Sequence, residues 1–317
     1  MTIVALAGGV GGAKMAQGLQ AALVPGELTV IVNTADDFEL YGLHISPDLD
    51  TVMYTLAGIA DPVQGWGIAG DTRQTLSAIS EYGREPWFQL GDRDFATHIL
   101  RSELLRNGQR LTEASAWLSK ALGVTSNIVP MTDSPVATRI MTAAGTLDFQ
   151  DYFVARRQSD IVLGVEFAGI EGARPTAEAI SAIASADVIV VAPSNPIVSI
   201  GPILAVPGMR QALEEANAPI VAISPIVGGQ ALKGPAANML QSLGHEVSAL
   251  GVVRILKELV DGFVMASIDR PFAPAIEDLG VSVLVTNTIM GDLDDRKRLA
   301  EEVLAFASSI SKRTMHA

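Results

Sequence analysis

The chain contains no cysteine, so disulfides, thiolate metal sites, iron–sulfur clusters and cysteine nucleophiles are all excluded. Aromatic residues are few, and no apolar run approaches the about 18 residues that a transmembrane helix needs. The N-terminus has no basic segment ahead of an apolar stretch, as a secretory signal would require. We therefore expect a cytoplasmic protein with no membrane partner.

Positive charge is also scarce, because 22 Lys and Arg residues face 35 Asp and Glu residues, which gives a net charge of −13. Such a field repels nucleic acid, so we expect no nucleic-acid partner. It also repels phosphorylated substrates, which favours Mg²⁺ together with Arg and Lys at any phosphate site. The length of 317 residues and the hydrophobic content of 49% suit one large α/β domain or two small ones, and we predict a single domain over 1–317.

Apolar, β-branched runs alternate with helical patterns along much of the chain. Predicted buried strands lie at 3–7, 28–32, 188–192, 220–224, 263–267 and 281–285. This alternation predicts a Rossmann-like α/β fold with a doubly wound, mostly parallel sheet between two helical layers. Residues 66–123 are different, mainly helical and rich in tryptophan, and we predict that they form an insertion that contributes to the substrate site. Residues 147–154 are predicted to form a further strand.

A glycine loop at residues 8–14 follows the first predicted strand. A strand, a glycine turn and a helix start form an anion cradle, because free backbone N–H groups and the helix dipole face the ligand. The loop is not a Walker A motif, and Lys14 stands where the dinucleotide fingerprint has its third glycine. The expected phosphate contacts are Gly9, Gly11, Gly12 and Lys14. There are two alternatives to a phosphate-binding loop. The chain could be a dehydrogenase that binds ribose through Asp36 or Asp37, or the glycines could form a purely structural turn.

Asp48 and Asp50 lie two residues apart, ahead of a helix predicted at 51–57. In an extended stretch this spacing places both carboxylates on one side, where they can hold one Mg²⁺. Capping of the helix explains one of the two carboxylates but not both. We predict that Asp48 and Asp50 bind the metal, with Asp37 as a further candidate from the neighbouring loop.

A charged cluster, Asp92, Arg93 and Asp94, precedes another predicted helix, and His98 follows one turn later. The planar guanidinium of Arg93 matches the geometry of an oxyanion, so we predict that it clamps a substrate. We expect Asp71 and Asp94 to cap the helices predicted at 72–81 and 95–106. His98 is either a general base or a structural residue.

Three loops in the second half, at 193–199, 224–229 and 233–235, are rich in proline, glycine and hydroxyl or amide side chains. Each lies close to a predicted buried strand and should reach the ligand-binding edge of the sheet. Ordinary turn chemistry is the alternative for any one of these loops. The candidate contacts are Ser194, Asn195, Ser199, Gly228 and Lys233.

Together these segments resemble the CofD family, the 2-phospho-L-lactate transferases of coenzyme F-420 biosynthesis. The matching stretches, in family order, are 8–14, 33–37, 45–54, 90–98 with Arg101, 129–135, 193–204 and 224–236. Beyond residue 251 the chain matches the family only in general pattern.

The resemblance implies that the donor is a guanylyl-activated phosphoacid and the acceptor is the deazaflavin Fo. The terminal ribitol hydroxyl of Fo would attack phosphorus and release GMP, with Mg²⁺ as cofactor. The acid is phospholactate, phosphoenolpyruvate or 3-phosphoglycerate, and the motifs do not decide between them. A homodimer is implied as well.

The resemblance also assigns roles to residues. Asp48 would hold metal, Asp50 would contact Fo or metal, and Arg93 would lie by Fo or the phosphates. The second-half loops would contact the phosphates and guanosine, and Asn33 and Asp37 lie in a matching stretch. A non-catalytic nucleotide-binding regulator of related fold is the third reading, although it would need neither the Asp48/Asp50 pair nor Arg93. The deazaflavin ring needs an aromatic slot, for which Trp66, Trp87 and Phe88 are the candidates.

Overall fold

The computed structural model describes residues 1–231 and 234–310. Its strands are β1 (Ile3–Ala7), β2 (Leu28–Val32), β3 (Phe38–Leu40), β4 (Leu43–Ile45), β5 (Asn127–Pro130), β6 (Ala137–Thr142), β7 (Gly145–Asp148), β8 (Gly164–Ala168), β9 (Val188–Val191), β10 (Ile220–Ile223), β11 (Ile226–Val227), β12 (Gln230–Ala231), β13 (Gly262–Ala266) and β14 (Ser282–Thr286).

The α-helices of the described residues are α1 (Gly9–Ala22), α2 (Pro47–Leu56), α3 (Gln74–Glu81), α4 (Asp92–Arg106), α5 (Leu111–Ala121), α6 (Ala177–Ala184), α7 (Ile200–Ala205), α8 (Met209–Glu215), α9 (Ala236–Ser242), α10 (Ala249–Leu256), α11 (Ala273–Glu277) and α12 (Leu293–Ser309). A π-helical turn covers Asp151–Ala155, and 3₁₀ turns cover Ile170–Gly172 and Ser267–Phe272. Over the described ranges, none of the helices has both the length and the apolar character needed to cross a membrane.

The central sheet has seven parallel strands in the order β5-β2-β1-β9-β10-β13-β14. When these seven are renumbered along the chain, the order is 3-2-1-4-5-6-7, which extends the Rossmann order by one strand. The direction of winding reverses between β1 and β9. The predicted doubly wound, Rossmann-like sheet is confirmed, and this reversal is where such folds bind ligands.

Alternation along β1 shows that both faces of the sheet are buried. Ile3, Ala5 and Ala7 belong to one hydrophobic cluster, and Val4 and Leu6 belong to another. Helices α1, α2 and α12 contribute buried side chains to the first cluster, and α6, α8 and α10 contribute to the second. The helices therefore cover the sheet on both sides, which gives the predicted three layers.

Two predicted helix caps, Asp71 for α3 and Asp94 for α4, are wrong because each helix is capped by a carboxylate from the entry of the other. The Asp71 carboxylate accepts the backbone N–H groups of Arg93 and Asp94, at 3.0 and 3.1 Å. Asp92 in turn accepts the N–H groups of Gln74 and Thr75, at 3.0 and 2.9 Å. This exchange fastens the starts of α3 and α4 to each other.

The strand predicted at 147–154 is confirmed only at residues 147 and 148 and is wrong beyond them. Strand β7 ends at Asp148, and a π-helical turn follows at Asp151–Ala155. Phe149, Tyr152 and Phe153 have helical spacing, which explains the turn. Strand β7 belongs to an antiparallel sheet, β7-β6-β8, that the sequence analysis did not predict.

Candidate active site

A cavity of about 730 Å³ lies beside the carboxyl ends of the central strands. Its walls come from the loops after β1, β2, β9, β10 and β14, from helices α2 and α4, and from the stretch between these two helices. The π-helical turn adds one more wall. The residues that the argument uses are Gly9, Gly11, Lys14, Asp36, Asp48, Asp50, Tyr54, Trp66, Phe88, Asp94, His98, Phe149, Phe153, Ser194, Asn195, Ser199, Ser224, Thr288 and Met290.

The glycine loop is packed tightly against the loop after β9. A Cβ on Gly11 would overlap the carbonyl oxygen of Pro193, and one on Gly12 would lie 2.6 Å from Ser194 Oγ. The Gly8 N–H donates to Ser194 Oγ at 3.1 Å, and that hydroxyl donates back to the Gly8 carbonyl at 2.8 Å. The loop therefore needs its glycines for this close approach. Of the predicted contacts, Gly12 lies behind the cavity wall rather than in it.

Asp48 faces the glycine loop. Its Oδ1 accepts the N–H of Gly9 at 2.7 Å, and its Oδ2 accepts the side-chain amide of Asn33 at 2.9 Å. Burial outweighs these hydrogen bonds and raises the pKa of Asp48 to about 6. The predicted residue Asn33 thus holds the Asp48 carboxylate in place through a side-chain hydrogen bond.

Asp36 lies next to Asp48 in the cavity wall. Burial, reinforced by the negative charge of Asp48, raises the pKa of Asp36 well above its usual value. The Oδ1 atom of Asp36 is buried and has no hydrogen-bond partner among the described residues. Asp36 and Asp48 are therefore two buried carboxylates, close enough that the charge of Asp48 raises the pKa of Asp36.

Asp37, the further metal candidate, lies outside the cavity wall. Its Oδ2 accepts from the Ser46 hydroxyl at 2.8 Å and lies 3.0 Å from His44 Nε2. Burial raises the pKa of Asp37, and the hydrogen bonds from His44 and Ser46 limit that rise.

Asp50 points to a different partner from Asp48. The predicted extended stretch is wrong, because α2 begins at Pro47 and both carboxylates lie in its first turn. Residues two apart on a helix are separated by about 200° around its axis. The Arg101 guanidinium forms a bidentate ion pair with Asp50, in which Nη1 donates to Oδ2 at 3.0 Å and Nη2 donates to Oδ1. The two carboxylates thus do not share one side.

His98, Asp94 and Tyr54 continue this polar cluster along the cavity wall. His98 Nε2 is 3.2 Å from Asp94 Oδ1, and the Tyr54 hydroxyl donates to the same oxygen at 2.7 Å. Burial alone would raise the pKa of Asp94, but His98, Tyr54 and Arg101 outweigh it and hold that pKa below its usual value. Asp50, Asp94 and His98 also offer ligand atoms within 4.8 Å of one another.

The predicted clamp, Arg93, is exposed and does not line the cavity. Arg101 is the arginine of α4 that reaches the site region, through Asp50. Asp94, His98 and Arg101 have the i, i+4, i+7 spacing of one helix face, and that spacing was the signal available in the sequence. Asp92, another predicted contact, is occupied in capping α3.

The loops of the second half divide between cavity wall and support. Ser194, Asn195 and Ser199 line the cavity, whereas Gly228 does not, and its N–H donates to the Asp269 carboxylate at 3.1 Å. Lys233 lies outside the described residues. The loop after β14, which the sequence analysis missed, lines the cavity at 288–291, and Lys14 Nζ donates to its Met290 carbonyl at 3.0 Å.

Aromatic rings line one part of the cavity. Of the three predicted, Trp66 and Phe88 are in the wall, whereas Trp87 packs on Phe38 and Phe88 with ring centroids 5.9 and 5.6 Å away. Phe149 and Phe153, stacked with centroids 5.5 Å apart, are in the wall as well. The cavity therefore combines aromatic faces with buried carboxylates.

A Rossmann-type sheet with a glycine loop, buried carboxylates and a cavity at its winding reversal is the arrangement of an enzyme that handles phosphates or nucleotides. Sequence comparison narrows this class. The family described as 2-phospho-L-lactate transferase CofD matches residues 3–289. The chain belongs to this CofD family of transferases.

Individual relatives match nearly end to end. The chain is 41% identical to the 2-phospho-L-lactate transferase of Methanosarcina acetivorans, over 97% of this chain and 100% of that one. It is 42% identical to the phosphoenolpyruvate transferase of Kitasatospora aureofaciens, over 98% and 99% of the two chains. A crystal structure of a UPF0052 family protein from Bacillus halodurans has a TM-score of 0.67 at 17% identity, covering 96% of this chain and 98% of that one, which supports the fold alone.

Proposed function

We propose that this protein transfers a phosphoacid group from its guanosine diphosphate-activated form to the deazaflavin Fo, with release of GMP, in coenzyme F-420 biosynthesis. The observation that carries the proposal is the match to the CofD family over nearly the whole chain. The cavity supports it, because aromatic faces suit a flat ring and the glycine loop suits phosphates. A homodimer and a cytoplasmic location stay predictions from the sequence.

The proposed reaction is an in-line substitution at phosphorus. The attacking hydroxyl oxygen forms a bond to the phosphorus of the acid half, the bond from that phosphorus to the bridging oxygen of GMP breaks, and the hydroxyl proton is lost. Such reactions depend on alignment and charge neutralisation more than on a covalent nucleophile. Gly9, Gly11 and Lys14 would contact phosphate oxygens, with Ser194 and Ser199 opposite them across the close contact of the two loops.

The donor set near the glycine loop fits Mg²⁺. Asp48 and Asp36 supply hard carboxylate oxygens, and one buried oxygen of Asp36 lacks a hydrogen-bond partner among the described residues. When bound, Mg²⁺ would supply neutralisation of the phosphate charge. We propose Asp48 and Asp36 as its carboxylate ligands, in place of the predicted Asp48/Asp50 pair, because Arg101 already neutralises Asp50.

Product formation tests the assignment. The purified protein is incubated with Fo, Mg²⁺ and each of the lactyl, enolpyruvyl and glyceryl forms of the guanylyl-activated phosphoacid. We expect one of the three to give a phosphodiester product of the calculated mass, with one GMP for each product molecule. If none gives product while NAD(P) shifts the melting temperature, a dehydrogenase takes the place of the transferase.

Fo binding is expected to quench tryptophan emission through Trp66, which lines the cavity at 40% exposure. A ring stacked on an indole face gains contact energy and quenches its emission. Trp66→Phe should therefore lose most of the quenching in an Fo titration. Trp87→Phe is the matched control and should keep it, because Trp87 is similarly exposed, at 37%, but lies outside the cavity wall. Equal quenching in both variants would move the Fo ring away from Trp66.

A further inference from the structure

Among the described residues, Arg101 is the most deeply buried Arg or Lys side chain. It is 1% exposed, and its guanidinium holds both oxygens of Asp50, itself 5% exposed. Its Nη1 also lies 3.4 Å from His98 Nδ1 and donates to the His44 carbonyl at 3.4 Å. A buried charge is costly unless it is paired, and here the guanidinium is paired with the Asp50 carboxylate.

The position of Arg101 distinguishes it from an ordinary structural ion pair. Asp50 and His98 line the cavity, whereas Arg101 lies behind them and does not. An apolar pair of similar volume would hold α2 and α4 together at a lower desolvation cost. The charged pair instead presents an oriented carboxylate and an oriented imidazole to the cavity.

We infer that Arg101 is a positioning residue, which fixes Asp50 and His98 against the cavity and serves as the permanent counter-ion of Asp50. Asp50 then uses its remaining lone pairs to accept a hydrogen bond from a substrate hydroxyl and does not ligate the metal. The group that this arrangement suits is a hydroxyl of the acceptor substrate. The inference rests on the proposed function for the identity of the reaction, but its metal-binding consequence does not.

In this inference Asp48 binds the metal and Asp50 binds a substrate hydroxyl. Measurement of Mn²⁺ binding can test this difference without any turnover. Electron paramagnetic resonance titration measures free Mn²⁺ in the presence of the protein. Asp48→Asn is expected to weaken Mn²⁺ binding about 10-fold or more, as loss of a charged ligand does. Asp50→Asn and Arg101→Lys should leave the affinity within twofold of wild type.

Turnover tests the positioning role. Lysine keeps the charge of Arg101 but loses the planar fork, so Arg101→Lys should lower kcat by about 100-fold while the KM of the activated donor stays nearly constant. Guanidinium ions in the buffer should restore part of kcat in Arg101→Ala, whereas ammonium ions should not. Arg110→Lys is the matched control, because Arg110 also pairs with a carboxylate, Glu178, but is exposed and does not line the cavity.

A double-variant cycle keeps the inference testable if Arg101→Ala fails to fold. Because Arg101 acts in part through Asp50, combining Asp50→Asn with Arg101→Lys should lower kcat by clearly less than the product of the two single effects. The inference is overturned if Arg101→Lys has wild-type kcat, if the two substitutions multiply, or if Asp50→Asn weakens Mn²⁺ as much as Asp48→Asn does. Wild-type product formation is measured first, so failure of the reaction assignment is recognised separately.

Discussion

Replacement of Asp48 by asparagine is expected to lower turnover on the order of 100- to 1,000-fold while the protein stays folded. Asparagine keeps the size of the side chain and one acceptor oxygen for the Gly9 N–H, but it removes the charge that a cation needs. Raising Mg²⁺ should recover only part of the loss. Steady-state kinetics at several Mg²⁺ concentrations, with circular dichroism as the folding control, would measure this.

The same substitution should change how stability depends on pH in the metal-free protein. Burial raises the pKa of Asp48 from 3.8 to about 6, so between these values the folded protein holds a proton that the unfolded chain has released. This contribution to stability is fully present below pH 3.8 and is lost as the pH rises through about 6. Its size is at most roughly 3 kcal/mol, for about two pKa units.

Asp36 and Asp37 act in the same direction, because burial raises their pKa values too. The free energy of unfolding should fall as the pH rises from about 4 to 6.5. Asp48→Asn should make this fall smaller but should not abolish it, because Asp36 and Asp37 still contribute. Urea unfolding at a series of pH values measures this, and Asp278→Asn, on the exposed surface, is the control. A variant with wild-type turnover and a wild-type pH profile would contradict both the metal role and the burial argument.

Sequence pattern was a sound guide to the central sheet. Strands such as Val188–Val191 and Ile220–Ile223 are buried on both faces, so each appears as an unbroken apolar run. The turns that follow them contain proline, glycine and serine, which marks the ends of the strands. The carboxyl ends of parallel strands meet at one edge of the sheet. This property of parallel sheets is enough to predict that the glycine loop lies close to Ser194, as the structure has it.

The error at Asp48 and Asp50 has a local cause. Pro47 occupies the first position of α2, where proline is favoured, so the helix starts three residues before Asp50. Reading Pro47 as a helix start would have placed the two carboxylates on different sides. The prediction of Arg93 rather than Arg101 has a similar cause, because Arg93 lies in the charged cluster at the helix start, whereas only the helical face shared with His98 identifies Arg101.

Other parts of the site have no local signal. Phe149 and the loop at 288–291 line the cavity, yet they come from segments more than 130 residues apart in the chain. The exchanged caps of α3 and α4 depend on two loops that meet only in the folded protein. Such neighbours are set by tertiary packing, which a single sequence does not display.

Gly11→Ala is expected to be the most destabilising single-methyl change in the cavity wall. An alanine Cβ there would overlap the Pro193 carbonyl oxygen and lie 3.3 Å from its carbon. Backbone cannot swing aside as a flexible side chain can, so α1 and the loop after β9 must move apart. Overpacking of this kind costs roughly 1–3 kcal/mol. Alanine favours helices over glycine by about 1 kcal/mol, so net destabilisation would mean that the clash outweighs this gain.

Moving α1 and the loop after β9 apart should also impair function. The Gly8–Ser194 hydrogen bonds hold together the glycine loop and the loop after β9, which we propose bind the phosphates. We expect Gly11→Ala to raise the KM of the activated donor and to lower kcat, since both loops would be displaced around the same phosphates. Gly172→Ala is the matched control. A Cβ at Gly172 meets no atom within 4 Å and its φ is not in the left-handed region, so its stability should stay within about 0.5 kcal/mol of wild type. Unfolding in urea and kinetics with the activated donor could instead give the same values for Gly11→Ala as for Gly172→Ala. The glycine loop and the loop after β9 would then pack less closely than in the structure, and phosphate binding would depend on other contacts.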